Sequence, residues 1–423
     1  MDGTVVTAQD PGYDGARSVW NGMIDRQPAA IVRAGSVRDA APTIRVAREL
    51  RVPLAIRGGG HNVAGNGTVD DGLVLDLGAL DDVQVDVDAR TVTIAPGATL
   101  ADVDRATQAH GLAVPIGVIS ATGMAGLTLG GGVGWLTRAH GLTVDSLLAA
   151  DVVTADGATV RASETDDHEL LWGLRGGGGN FGVVTSFTYR AYPLGPEVVA
   201  GTFVYGVERW ADAYRAFGTW TTGLPDEMTA IATTMVPPPE WEMGDDPLLL
   251  LGFASTSRDR AAGEALVAAL REAAPPDAEV FEPTTWLAWQ TAADGLFPKG
   301  VRAYWRNASF DRLDEDVIEV LIRRGREQTW RGTGFDVHHM EGAYGRVPEE
   351  ATPFPNRAAR YWLNIYGYWS DAADDAARTA FVREFAGRIP VIVATRTAMG
   401  LTRRVYRAAG KGSPSRGSCG ASR

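Results

Sequence analysis

Along the first half of the chain, apolar residues switch between helical spacing and short continuous runs, which predicts helices and buried strands in quick alternation. Ala40, Ala41, Ile44, Ala47 and Leu50 share one helical face, with Ser36 placed to cap it. Short apolar runs predict strands at Ile31-Val32, "VPLAI", "LVLDL", "VQVDV" and "TVTIAP". Residues 100–110 have helical spacing behind Thr99 as a cap, and "ADVVTADGATVRA" predicts a hairpin turning at Asp156-Gly157. "DDHELLWGLR" predicts a helix, followed by glycines and then the strand "VVTSFTYRAY".

From about residue 197 glycine thins out and Trp and Pro become commoner. "AGTFVYG" and "LLLLGFAST" predict strands, and "RDRAAGEALVAALREAA" and "DEDVIEVLIRRGREQ" predict amphipathic helices. The segment 359–369 alternates as a long strand, with Tyr361, Leu363, Ile365 and Trp369 on one face. Trp362, Asn364, Tyr366 and Tyr368 lie on the other, a polar-aromatic surface suited to covering a ring-containing small molecule. Beyond Glu384 there is no acidic residue, and residues 385–423 predict a basic tail that is disordered or read from a shifted frame.

Composition narrows the functional class. The chain has 423 residues and a formal net charge of −12, which argues against nucleic acid or an anionic membrane as partner. A single cysteine, Cys419, excludes a disulfide framework and a cysteine metal or redox pair. The N-terminal residues lack the basic flank and apolar stretch of a signal peptide, so the expected compartment is the cytoplasm.

Three glycine-rich loops adjoin predicted strands: "RGGGHN" at 57–62, "GVISATGMAGLTLGGGVG" at 117–134 and "GGGGNFGVV" at 176–184. Bare backbone lets N–H groups converge on an anion, so three such loops point to a long, multiply charged ligand such as a dinucleotide. The string "GGGNFG" fits G-x-G-x-x-G, but a helix precedes it and a strand follows, the reverse of the dinucleotide-fold fingerprint. There is no H-E-x-x-H, G-x-S-x-G or P-loop, and His338 and His339 are adjacent and point apart on a strand.

The strings "RGGGHNVAG", "GLTLGGGVGWLTRAHGLTVDSLLAADVVTADG" and "LLWGLRGGGGNFGVVTSF" resemble the FAD-linked oxidases of the vanillyl-alcohol oxidase / p-cresol methylhydroxylase (PCMH) superfamily, in its berberine-bridge-enzyme-like branch. The resemblance implies an α+β fold with a two-part PCMH-type FAD-binding domain over 1–195. A substrate-binding domain over 196–384 would follow, an antiparallel sheet covered by helices. It implies a covalent bond from His61 to the flavin 8α-methyl, and a single link because Ile119 stands where some relatives have a second, cysteine attachment. Arg57, Gly58, Gly59, Gly60 and Asn62 would meet the pyrophosphate. Ser120, Thr122, Gly123 and Gly126 would line the ribityl chain and flavin ring. Gly130, Gly131 and Gly132 would allow close packing beside the cofactor, and Val183 and Val184 would meet it through their backbone. The implied reaction passes a hydride from a C–H bearing OH or NH to flavin N5, with dioxygen as acceptor and hydrogen peroxide as product.

The family's C-terminal "Y-x-N" and "NPxN" segments are missing after residue 385, so the base is sought among Tyr366, Tyr368, Asn364 and His339. Two alternatives stand beside the oxidase: a truncated or frameshifted non-catalytic relative, and a dehydrogenase that uses another electron acceptor.

Overall fold

The computed structural model describes residues 1–389 apart from residue 332; the tail from 390 onward lies outside the described residues. Residues 4–190 build two sheets. In the first, Thr4–Val6, Ala30–Arg33, Leu73–Asp76 and Leu54–Arg57 lie in that order, with both contacts of Leu73–Asp76 parallel. In the second, Val83–Asp86, Thr91–Ile94, Val183–Arg190, Leu147–Val153 and Thr159–Ser163 pair antiparallel.

Local chemistry fixes several boundaries here. The Ser36 hydroxyl accepts from the Arg38 amide at 3.2 Å while Asp39 accepts from the Ser36 amide at 3.4 Å. This capping box opens a short 3-10 turn, Val37–Asp39, before the helix Ala40–Leu50. Asp102 accepts from the Thr99 amide at 2.9 Å and so starts the helix Leu100–Gln108. Asp167 likewise caps His168–Leu174 through the Leu170 amide at 3.0 Å.

The second half forms one antiparallel sheet in the order Ala278–Val280, Glu197–Tyr205, Leu248–Ser255, Met228–Met235, Gly334–His339, Tyr361–Trp369 and Arg302–Phe310. The helices Trp210–Trp220, Arg260–Ala273, Glu315–Glu327 and Asp375–Arg388 share the core of one sheet face. Tyr361, Leu363 and Ile365 belong to that core together with Phe335, Phe253 and Phe385. The helix Asp375–Arg388 runs through position 385, so the basic segment begins inside an ordered element. Phe381, Val382 and Phe385 recur at helical spacing and bind it to the sheet.

The opposite sheet face turns toward the glycine loops. Trp135, next to the second loop, lies over Gly252, where an added Cβ would come within 3.4 Å of its ring. Among the described residues no helix is long and apolar enough to cross a membrane.

Candidate functional site

The first loop leaves the end of Leu54–Arg57. Arg57 is buried and divides its guanidinium: Nη2 donates to Ala16 O at 2.6 Å and to Asp76 at 2.8 Å, whereas Nη1 has no partner. Gly58 and Gly59 are required by close approach. A Cβ on Gly58 would sit 2.7 Å from Pro96 O, and one on Gly59 only 2.6 Å from the Gly123 backbone. The second contact joins the first loop to the second. Gly60 has φ +67 and accepts the Trp20 amide at 3.0 Å.

His61 follows and stacks on Trp20, with ring centroids 4.5 Å apart. Its Nε2 is buried without a partner, and burial pulls its pKa down to about 4, so the imidazole is neutral at pH 7. Asn62 accepts the Asn66 amide at 3.1 Å and shapes the turn that follows. Asn21 then ties this loop to the large antiparallel sheet of the second half. Its Nδ2 donates to Val63 O at 2.7 Å and to Ala303 O at 2.9 Å, and its Oδ1 accepts from the Ala303 amide at 3.0 Å.

In the second loop, Thr122 O accepts the Leu100 amide at 3.0 Å, and Ser120 donates its amide to Asp294 at 2.8 Å. Gly126, in the helix Met124–Leu129, has open space where a Cβ would stand. Gly130 ends that helix. Gly131 and Gly132 have positive φ, and their close neighbours are protein atoms: the Phe354 ring for Gly131 and the Thr143 side chain for Gly132. Phe354 also abuts Gly176, and the Gly178 amide donates to Leu129 O at 2.9 Å, so the second and third loops are joined. The third loop runs from a helix into the strand Val183–Arg190. Val183 and Val184 bury their side chains in adjoining cores and pair with Val153 and Val152.

The sheet brings its own row of side chains to this region. Asn364 is paired with Asp336 on one side and Asn307 on the other, and Tyr366 with Gly334 and Trp305. Paired residues share a face, so Asp336, Asn307, Asn364, Trp305, Tyr366 and Tyr368 lie together, away from the helices. Trp20 connects them to His61, at 5.5 Å from Trp305 and 6.0 Å from Tyr368 between ring centroids. Asp336 and Asn364 sit beside the Tyr366 hydroxyl, and the Asp336 charge disfavours its ionisation. Burial pushes both Tyr366 and Tyr368 well above the usual phenol range, so each holds its proton. Asp336 was not singled out in the sequence; its signal is that strand pairing sets a lone carboxylate opposite Asn364.

His339 does not join this group. It pairs with Tyr361 on the helix side of the sheet, where Nε2 lies 2.7 Å from Glu341 and 3.3 Å from Arg138. Burial, then Arg138 and Arg360, lower its pKa to about 2. Arg138 itself is buried and donates to Met228 O, Leu224 O and Met340 O. His339 therefore belongs to a structural knot, because strand alternation turns it away from Asn364 and Tyr366.

Beneath the second loop lies a buried carboxyl, Asp104, whose pKa burial raises to about 6. Ionising it in the fold costs about 3 kcal/mol more than in the unfolded chain. Because its folded pKa lies above the unfolded value, stability falls as pH rises from 4 to 6. His61, with a folded pKa below its unfolded value, acts oppositely over the same window. Comparing Tm against pH for wild type and Asp104→Asn isolates the first effect: the variant should lack that downward contribution between pH 4 and 6.

Unpartnered buried polar atoms gather where the two surfaces meet. Arg57 Nη1 and His61 Nε2 come from the loops, and Trp305 Nε1, Asn307 Oδ1, His338 Nε2 and Tyr368 Oη from the sheet. Buried polar groups are normally paired, so these six atoms are placed to meet a polar ligand. An open guanidinium beside glycine backbone suits a pyrophosphate, and a neutral imidazole suits a flavin. The residues present fit FAD.

Comparison with known proteins agrees. Residues 28–163 match the family described as FAD binding domain, so this chain carries an FAD-binding domain. Proteins named FAD-linked oxidoreductases are similar to it in sequence. An uncharacterized FAD-linked oxidoreductase of Bacillus subtilis, YgaK, is 38% identical over 235 residues, 54% of this chain and 52% of that protein. The (R)-6-hydroxynicotine oxidase of Paenarthrobacter nicotinovorans is 33% identical over 237 residues, 56% and 51% of the two chains. The matched stretch thus spans about half the length of these relatives. In fold, the berberine-bridge-like protein 1 of Physcomitrella patens superposes with TM-score 0.82 at 21% identity, covering 92% of this chain and 86% of that one. The 6-hydroxy-D-nicotine oxidase of Arthrobacter nicotinovorans does so with TM-score 0.80 at 24% identity, covering 92% and 85%.

Proposed function

We propose that the protein is an FAD-dependent oxidase that binds its flavin covalently through His61 and oxidises a ring-bearing small molecule at a C–H next to OH or NH. One observation carries this: a neutral, half-buried His61 whose Nε2 has no hydrogen-bond partner, set where glycine loops meet a face bearing Tyr366 and Asp336. When bound, FAD accepts the hydride at N5 and returns the electrons to dioxygen as hydrogen peroxide.

The chain's own residues do the rest. Arg57 and the first loop hold the pyrophosphate. Ser120, Thr122, Gly126 and the backbone at Val183 and Val184 would line the cofactor. Trp305, Trp362 and Tyr368 wall the substrate, whose polar groups Asn307 and Asn364 orient. The Tyr366 hydroxyl takes the proton of the substrate heteroatom and passes its own to the Asp336 carboxylate, which stores it. The raised phenol pKa supports such a shuttle, because Tyr366 then never has to exist as a free phenolate.

The test is a panel of ring-bearing alcohols and amines with the purified protein in air. The oxidase reading expects hydrogen peroxide in step with substrate consumed. Reduction without reoxidation by dioxygen would make the protein a dehydrogenase, and a flavin that no member of the panel reduces would count against this substrate class.

A further inference from the structure

The segment from Trp286 to Val301 touches both halves of the site. Trp286 Nε1 donates to Asp104 at 3.2 Å, and Gln290 Nε2 donates both to Asp104 and to Gly117 O, each at 3.1 Å. Four residues on, Asp294 receives the Ser120 amide at 2.8 Å. The chain then crosses to the sheet, where Leu296 packs with Val204, Met235 and Leu250. Phe297 sets its ring edge-on to Tyr366 and Tyr368, with centroids 5.5 Å from each. Its carbonyl accepts from Trp20 Nε1 at 3.2 Å, and the Gly300 amide donates to Trp20 O at 2.9 Å.

One arm therefore holds backbone atoms of the second glycine loop at one end and packs on the substrate-facing tyrosines at the other. On its far side the loop is held by the start of the helix Leu100–Gln108, through the Leu100 and Ala101 amides. We propose that this arm is a clamp that sets the flavin-side loop 117–123 at a fixed distance from the substrate-facing sheet. Asp294 and Gln290 are its positioning residues, and Asp104 holds Gln290 in place. The bond from the Ser120 amide to a carboxylate is charge-assisted, which makes Asp294 the stronger of the two anchors. The consequence for the flavin rests on the function proposed above; the clamp itself does not.

Hydrogen–deuterium exchange on the full chain as purified tests it, reading the peptide over 117–123. Asp294→Ala should raise exchange at the Ser120 amide about tenfold or more, as expected for a lost hydrogen bond to a charged group. Asp294→Asn keeps an acceptor oxygen and should restore most of the protection, which general loosening would not do. Gln290→Ala should raise exchange in the same peptide by several-fold, and the strand Leu147–Val153 should be unchanged throughout. In flavin-loaded protein, Asp294→Ala should also shift the visible absorption band while Asp294→Asn does not. Equal exchange over 117–123 in wild type, Asp294→Ala and Gln290→Ala would overturn the clamp. If Asp294→Ala does not fold, Gln290→Ala decides by the same criterion. Exchange needs no cofactor, so a flavin-free preparation would end the functional reading and still leave the clamp decided.

Discussion

His61→Ala is expected to surrender all of its flavin to the supernatant on acid precipitation, whereas wild type keeps the colour in the pellet. An imidazole attacks or bonds a flavin only in its neutral form, and burial beside Trp20 pulls the His61 pKa to about 4. At pH 7 the ring is therefore neutral and held at one angle by the stack, with Nε2 open. Removing the side chain leaves Arg57, the glycine backbone and the aromatic wall, so FAD should still bind, but reversibly. Fluorescence of the supernatant measures the difference. Flavin retained in the His61→Ala pellet would place the attachment elsewhere.

The second large effect concerns the proton. Asp336→Asn should lower kcat by about 10²- to 10⁴-fold, the usual contribution of a positioned base, with flavin content unchanged and KM altered only a few-fold. Asparagine keeps the size and polarity of the side chain beside Tyr366, but it cannot store a proton. Tyr366→Phe should give a loss of the same order, and the double variant should lose little more than either alone, because the two residues form one relay. Steady-state peroxide release on any accepted substrate measures all three. A kcat within about twofold of wild type in Asp336→Asn would remove the shuttle.

Much of this architecture was legible in the sequence where the signal is local. Ser36, Thr99 and Asp167 announce helix starts because capping is decided within three residues. The two faces of Tyr361–Trp369 follow from strict alternation on a strand with one face in the core. The glycine loops are visible because close approach and positive φ exclude side chains. The strand Met228–Met235 is buried along nearly its whole length and gives no alternation to read, and Arg302–Phe310 sets Arg302 and Arg306 on the same face as Tyr304 and Phe310. The site residues that were missed all act at long range. Asn21 bridges to Ala303, Asp104 to Gln290, and Phe354 closes on Gly131 and Gly176. His339 was misplaced for a related reason: only pairing with Tyr361 shows which of two adjacent histidines faces the loops.

The most direct test of the whole account is the intact mass of the denatured wild-type chain, read together with its visible spectrum. The prediction is a polypeptide heavier by one FAD less the two hydrogens lost on bonding, with a flavin band that survives unfolding and a digest in which the added mass sits on the peptide carrying His61. A chain of unmodified mass, colourless after denaturation although well folded before it, would contradict it.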